Sequence, residues 1–265
     1  MLDLHLNEPN GTSVPEMDSP CGGDCKALPT WKRILDLACL LFAAPALIPI
    51  MVLIAAAIRL SSSGPIFFRQ ERVGLKGKRF VCLKFRTMKH AAETRSHEQH
   101  LAQLINSDAP MKKLDTADSR VLKIGVLLRA AGLDELPQVF NVLRGEMSLV
   151  GPRPCIPYEY EKYRPEHRAR FEAVPGLTGL WQVSGKNNTT FQQMVNLDIR
   201  YAKSLSLLQD ISILFRTFGV VFGQTAEVFQ RKRLAGANQA FAPRSLPSQQ
   251  MSSPRRPERH PLTSV

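Results

Sequence analysis

The sequence predicts an α+β fold, mainly helical: an N-terminal re-entrant helix hairpin, then a compact body carrying a small β element. Three observations predict it. Residues 34–58, ILDLACLLFAAPALIPIMVLIAAAI, hold a single charge, Asp36, and two central prolines. Residues 60–90 change to short alternating segments around a glycine turn. Further on, apolar residues recur at helical spacing, as in Leu207, Leu208, Ile211, Leu214, Phe215, Phe218, Val221 and Phe222.

Residues 1–30 are rich in Pro, Gly, Asp and Ser and are expected to form a disordered leader. They lack the basic start and early apolar run of a secretory signal. The apolar run defines a membrane anchor over 31–59. At 1.5 Å per residue it would reach roughly 38 Å, against a hydrocarbon core of about 30 Å. Pro45 and Pro49 each remove a backbone hydrogen bond in its middle. Basic residues flank both ends, Lys32 and Arg33 before it and Arg59, Arg69, Arg72, Lys76 and Lys78 after it. The positive-inside rule puts both flanks on the cytoplasmic side of a bacterial inner membrane. A helix broken near Pro45, reaching mid-bilayer and returning, is therefore expected over a through-span or a buried core helix. Arg33 and Asp36, three residues apart, are expected to pair at headgroup depth.

Phe67, Phe68 and the alternating Phe80, Cys82, Phe85 region predict two short strands joined by a turn at Gly74–Gly77. The string GLKGK is no phosphate-cradling loop, because the four-residue spacer and the Ser/Thr after lysine are missing. Lys84 and Arg86 suit phosphate contact and a basic interfacial patch equally. His90 to Asp118 is polar, with a helix and a loop expected. Val121 to Leu128 is apolar. The stripe from Leu207 to Phe222 fits a bilayer surface and a buried core face equally. The body is expected over 60–225. Residues 226–265, Pro/Ser-rich with RKR and RRPER, read as a disordered basic tail suited to anionic lipid.

The net charge is +12, of which residues 31–225 carry +11, the leader −4 and the tail +5. Such a field attracts phosphates: nucleotides, nucleic acid or an anionic membrane face. No recognition-helix or zinc motif accompanies it and aromatic residues make up 7%, so no nucleic-acid partner is expected. A membrane-tethered nucleic-acid binder is the alternative class, and an inactive assembly scaffold a third. Five scattered cysteines without a zinc pattern read as reduced thiols.

The chemistry concentrates in Arg129–Pro154, RAAGLDELPQVFNVLRGEMSLVGPRP. Adjacent carboxylates, Asp134 and Glu135, lie among Arg129, Arg144 and Arg153. Arginines suit phosphate oxygens and carboxylates suit a hard cation, so a phosphate with its metal ion would reconcile the set. Neighbours on a helix point about 100° apart, so the two acids should differ in role. Pro137 fits the first turn of a helix starting here, whose N-terminus favours anions. Taken alone, LDELP is also an ordinary helix cap. Asn141, Arg144 and Glu146 continue a polar edge, and Arg153 stands between two prolines on a stiff segment. A second run, VPGLTGLWQVSGKNN, offers Gly176, Gly179 and Gly185 for close approach, Trp181 for a ring or for the core, and Lys186 for a phosphate.

KRILDL, the proline-broken segment, GPIFFRQERVGLKGKRFVCLKFRTM, LLRAAGLDELPQVFNVLRGEMSLVGPRP, VPGLTGLWQVSGK and LDIRYAKSLSLLQDI together carry a resemblance. Over Lys32 to Gly223 the chain resembles the bacterial sugar transferases that act as monotopic phosphoglycosyl transferases, which prime surface-glycan and exopolysaccharide assembly. The resemblance implies a UDP-sugar donor, undecaprenyl phosphate as acceptor, Mg2+ as cofactor and membrane lipids as surroundings. A homodimer is compatible with it. Asp134 would be the nucleophile on the sugar-bearing phosphate and Glu135 the Mg2+ ligand. Arg129, Arg153, Lys186 and Lys84 would bind substrate. The family's re-entrant hairpin agrees with a bend at Pro45, although Ala44 stands where many relatives carry serine. No second long apolar run is present, so the forms with extra spans are not expected.

Overall fold

The computed structural model describes residues 28–88, 104–105, 107, 109–111, 121–185, 188–221 and 223. The leader up to residue 27, most of the polar segment 90–118, Lys186 and the basic tail lie outside the described residues.

Helix α1 (Thr30–Ser61) is 32 residues long, about 48 Å at 1.5 Å per residue. Pro45 and Pro49 both lie inside this one helix, so the break expected near Pro45 does not divide it into two arms: an interior proline removes a backbone hydrogen bond and can bend a helix without ending it. By length and composition the helix is able to cross a membrane. Its fully buried residues lie toward its ends, while Leu47 and Met51 between them are partly buried against the body. Lys32, Asp36 and Leu40, spaced by fours on one face, are buried at the start, and Ile54 and Ile58 at the finish; Phe42 between them is 90% exposed. Arg33 and Asp36 do not pair. Arg33 donates to the carbonyl of Val142 and, at 2.6 Å, to that of Leu143. Asp36 Oδ1 accepts from Ser148 Oγ and the Leu149 N–H, both at 3.0 Å. The Leu143 carbonyl at a helix end and the Leu149 strand-edge N–H offer charge-assisted hydrogen bonds, and these win over an ion pair on one helix turn.

The start of α1 is also locked by charge. Lys32 Nζ donates to Asp210 and, at 2.9 Å, to Tyr201 Oη, which donates in turn to Asp210 Oδ1 at 2.6 Å. All three side chains are essentially inaccessible to solvent. At the far end Arg86 is buried, and its two terminal nitrogens donate to the carbonyls of Ser63 (2.8 Å) and Ser62 (2.9 Å). This corrects the phosphate or interfacial role expected of Arg86: it ties down the chain where α1 ends.

Strands β1 (Phe67–Val73) and β2 (Arg79–Phe85) form the expected antiparallel hairpin, its turn at Leu75–Gly77. The register pairs Phe68 with Lys84, Gln70 with Cys82 and Arg72 with Phe80, so these six side chains share one face. After α2 (Lys123–Ala130) comes a 3-10 helix, Leu133–Gln138, then α3 (Val139–Arg144). Strand β3 (Ser148–Val150) pairs in parallel with β4 (Gly176–Thr178), across the short helix α4 (Pro157–Lys162). Their contact is too close for side chains. A Cβ on Gly151 would lie 2.2 Å from the Val174 carbonyl oxygen, one on Gly176 2.1 Å from the Gly151 nitrogen, and one on Gly179 2.2 Å from the Gly151 carbonyl oxygen. The glycines of VGPRP and PGLTGL thus allow two segments of this chain to cross.

Short α5 (Leu180–Val183) precedes α6 (Phe191–Lys203), which opens on a capping box. Thr190 Oγ1 accepts from the Gln193 N–H, and Gln193 Oε1 accepts from the Thr190 N–H. Helix α7 covers residues 207–221. It buries Asp210 and Ile213, while Leu208, Phe215 (73% exposed) and Phe218 face outward. The core-face reading of the stripe therefore fails for Leu208, Phe215 and Phe218. Trp181 packs in the core with Tyr163, Phe171 and Phe191, not in an open pocket.

Candidate active site

Gly132 in the left-handed region (φ 69°) ends α2 and opens the 3-10 helix, where the Glu135 N–H donates to the Gly132 carbonyl. The helix therefore starts earlier than Pro137 suggests, and the proline lies within it. At three residues per turn, neighbours point about 120° apart. Asp134 accordingly turns inward and is buried, while Glu135 stays a third exposed and meets Lys84, with Oε1 2.9 Å from Nζ. A part-exposed pair of this kind stabilises by at most about 1 kcal/mol, so its effect is to aim the two groups.

One buried side chain sets that geometry. Asn141 accepts from the Leu83 N–H at 3.1 Å and donates at 2.7 Å to both the Val81 carbonyl and Glu146 Oε2. Its amide acts as a one-residue strand on the outer edge of β2, fixing the acids' helix against the strand that carries Lys84. The expected polar edge is thus an internal clamp.

Arg129 sits in the last turn of α2, five residues before Asp134, with its carbonyl accepting from the Gly132 N–H. Arg153 enters a different network. Its Nη1 meets both oxygens of buried Glu159 (3.0 and 3.2 Å), and Glu159 accepts from Tyr163 Oη at 2.8 Å. Arg170 donates to the Arg153 carbonyl at 2.8 Å and pairs with Asp198 at 2.5 Å. Burial works against the charged Glu159 carboxylate, but Arg153 and Arg170 outweigh it and hold its pKa below the usual value. Asp198 goes the other way: burial raises its carboxyl to about 6 against the pull of Arg170.

Cys82 links the two regions. Burial raises its thiol pKa, Lys84, Arg72 and Arg153 oppose that rise, and Glu135 adds to it. The hairpin face thus has the Lys84–Glu135 pair at one end and Arg72 with Arg153 at the other. Lys186 is outside the described residues. Sequence reasoning missed the clamp role of Asn141 and the network of Glu159, Tyr163, Arg170 and Asp198 around Arg153, and it assigned Arg72 no place on the Lys84 face. The alternation of FFRQERV puts Arg72 on the Gln70 face, but only the register joins that face to Lys84.

Among the described residues no group of three or more His, Cys, Asp or Glu gathers to hold a metal. Mg2+ commonly takes one or two carboxylates and completes its octahedron with water and substrate phosphates. Glu135, part-exposed next to Asp134, fits an ion held in that way.

An inward carboxylate, an outward carboxylate with its lysine, and Arg72 on the same hairpin face with Arg153 beside it make a site suited to a phosphate-bearing ligand. The match to known proteins is more specific. The description "Bacterial sugar transferase" fits residues 28–224, and the chain belongs to that family. It is 41% identical over 197 residues to the UDP-galactose-lipid carrier transferase of Erwinia amylovora, covering 72% of this chain and 40% of that protein. It is 38% identical over 197 residues to the exopolysaccharide production protein ExoY of Sinorhizobium fredii, covering 72% and 84%. With the UDP-glucose:undecaprenyl-phosphate glucose-1-phosphate transferase of Caulobacter vibrioides it shares 42% over 195 residues, covering 70% and 67%. The chain therefore spans well under half of some relatives and most of others.

Proposed function

We propose that this protein transfers a sugar 1-phosphate from a UDP-sugar to undecaprenyl phosphate, releasing UMP, as the first membrane step of exopolysaccharide or surface-glycan synthesis. The observation that carries this reading is the Leu133–Gln138 turn, which separates Asp134 from Glu135 and sets Glu135 against Lys84 at 2.9 Å. The names of the relatives supply the substrate class.

In this reading an Asp134 carboxylate oxygen attacks the sugar-bearing phosphorus of the donor. The bond from that phosphorus to the bridging oxygen breaks, and UMP leaves with the electron pair. The phosphosugar is then held on Asp134 as an acyl phosphate. A phosphate oxygen of undecaprenyl phosphate attacks the same phosphorus, forming the lipid diphosphosugar and freeing the carboxylate, so the kinetics are ping-pong. Lys84 and the arginines hold phosphate oxygens through charge-assisted hydrogen bonds. Glu135 would hold Mg2+, which when bound neutralises diphosphate charge.

The reading places α1 as a re-entrant anchor in the inner membrane, one helix carrying Pro45 and Pro49 that enters and leaves on the cytoplasmic face, with the body on that face. It is supported by the burial of both helix ends against one body, since a through-spanning helix would carry one end to the opposite side. The exposed Leu208, Phe215 and Phe218 suit the bilayer surface. The test is UMP release from a panel of UDP-sugars with undecaprenyl phosphate and Mg2+. Asp134→Asn is expected to abolish release while leaving membrane insertion intact. Undiminished release from that variant would overturn the nucleophile assignment, and no release from the wild type with any donor would overturn the reaction class.

A further inference from the structure

Arg72 is a buried cation without a carboxylate. It is 6% exposed, and its Nη1 donates to the Pro154 carbonyl at 2.9 Å and its Nη2 to Gln70 Oε1 at 2.6 Å. Both acceptors are neutral, and its buried Nε has no hydrogen-bond partner. Among the described residues no carboxylate forms a salt bridge with it. Its charged form is disfavoured by burial first and by Arg153 next, with Glu159 a weaker offset. Arg170, by contrast, pairs directly with Asp198, and Arg153 with Glu159.

A buried charge without a counter-ion is costly. Arg86 bears the same cost to tie down the chain after α1, but Arg72 stands behind a part-exposed guanidinium, where an arriving anion would offset part of the cost. Arg153 is the way in, because its side chain is 24% exposed while Glu159 beside it is fully covered. An anion at the open side of Arg153 would feel both guanidiniums, and relieve their mutual repulsion. The backbone adds rigidity: Arg72 holds the Pro154 carbonyl, and the Val73 N–H donates to the Cys155 carbonyl at 2.9 Å, so β1 grips both residues that follow Arg153.

We propose that Arg72 is a positioning residue that leaves uncompensated positive charge behind Arg153, making that end of the hairpin face a subsite for the phosphates of a nucleoside diphosphate. The inference rests on the UDP-sugar reading for the nucleoside, but not for the phosphates. Lys84 and Glu135 mark the far end of the same face.

The test is equilibrium binding of uridine, UMP, UDP and inorganic pyrophosphate to the full chain in detergent, without Mg2+. Wild type is compared with Arg72→Met, which keeps the bulk and loses the charge, and with Arg72→Lys. Arg72→Met is expected to weaken UDP and pyrophosphate roughly ten- to thirty-fold at low salt, the effect of one charge about 8–12 Å away at an effective dielectric of 20. Uridine should change less than twofold, and Arg72→Lys should recover part of the loss. Equal loss for uridine and UDP, or no loss for UDP and pyrophosphate, would overturn the proposal. Pyrophosphate binding that depends on Arg72, in a protein no better at binding UDP than pyrophosphate, would keep it and overturn the nucleotide reading. Wild type binding neither would overturn both.

Discussion

Replacing Asp210 with asparagine removes the counter-charge of Lys32 while keeping nearly the same shape. Lys32 and Asp210 are 1% and 0% exposed, so water cannot substitute for the lost charge. Tyr201 Oη, at 2.9 Å, would be the ammonium's remaining strong partner, helped by the Tyr201 ring, whose centroid is 5.7 Å from Nζ. Breaking a buried pair from one side costs about 3–5 kcal/mol, a large share of the roughly 5–15 kcal/mol that holds a domain together. For a body of this size that is a drop of about 6–20 °C in melting temperature. Lys32→Met should cost a similar amount, because it leaves Asp210 charged and buried. In the Lys32→Met, Asp210→Asn double variant neither charge is left alone, so its loss should fall short of the summed single losses by at least about 1 kcal/mol. The assay is thermal unfolding of the four proteins in one detergent, followed by tryptophan fluorescence. Additive losses, or an Asp210→Asn melting temperature within a degree of wild type, would refute the view that this pair docks the start of α1.

Three further outcomes are expected. Asn141→Ala leaves the Leu83 N–H and Val81 carbonyl without their partner and should cost about 2–3 kcal/mol in thermal unfolding, with UMP release falling further because Lys84 loses its alignment. Gly176→Ala puts a Cβ 2.1 Å from the Gly151 nitrogen and should prevent accumulation of folded protein, whereas Gly219→Ala, which meets nothing within 4 Å, should be silent in the same expression and melting assays. Glu159 has a folded pKa below its unfolded value, so its stabilisation is present above about pH 4.5 and is lost as pH falls through the depressed value. Glu159→Gln should therefore melt lower than wild type at pH 7, and the gap should close in melts taken progressively below pH 4.5.

Much of the fold was legible because periodicity and punctuation report local structure. The apolar run marked α1 within a few residues, and Phe80, Cys82 and Gly74–Gly77 marked the hairpin and its turn. LDELP marked the acids, and the resemblance gave them distinct roles. Long-range pairing was not legible. Arg33 three residues before Asp36 has the pattern of a helical ion pair, yet each side chain reaches a backbone group more than a hundred residues away. Asn141 looked like a surface polar residue because nothing local says that the edge of β2 lies beside it. The glycines of PGLTGL looked like a ligand cradle, since close approach by a ligand and by the chain itself leave the same mark in sequence.

The basic excess of the body takes on a different meaning once its cations are placed. Lys32, Arg33, Arg86 and Arg170 point inward, onto Asp210, onto helix-end and loop carbonyls, and onto Asp198. They act as structural cross-links, and little of their charge reaches a ligand at long range. Of the cations expected to meet phosphate, Lys84 lies against Glu135 on one hairpin face, Arg153 lies beside that face with Arg72 behind it, and Arg129 lies in the last turn of α2. A surface field would attract any polyanion and would be weakened by salt. Guanidiniums held within the protein are screened less and oriented more, so they favour a ligand whose phosphates match their spacing. On the proposed reading such a site would distinguish a small diphosphate from anionic lipid headgroups, a discrimination that an enzyme resting on a bilayer would require.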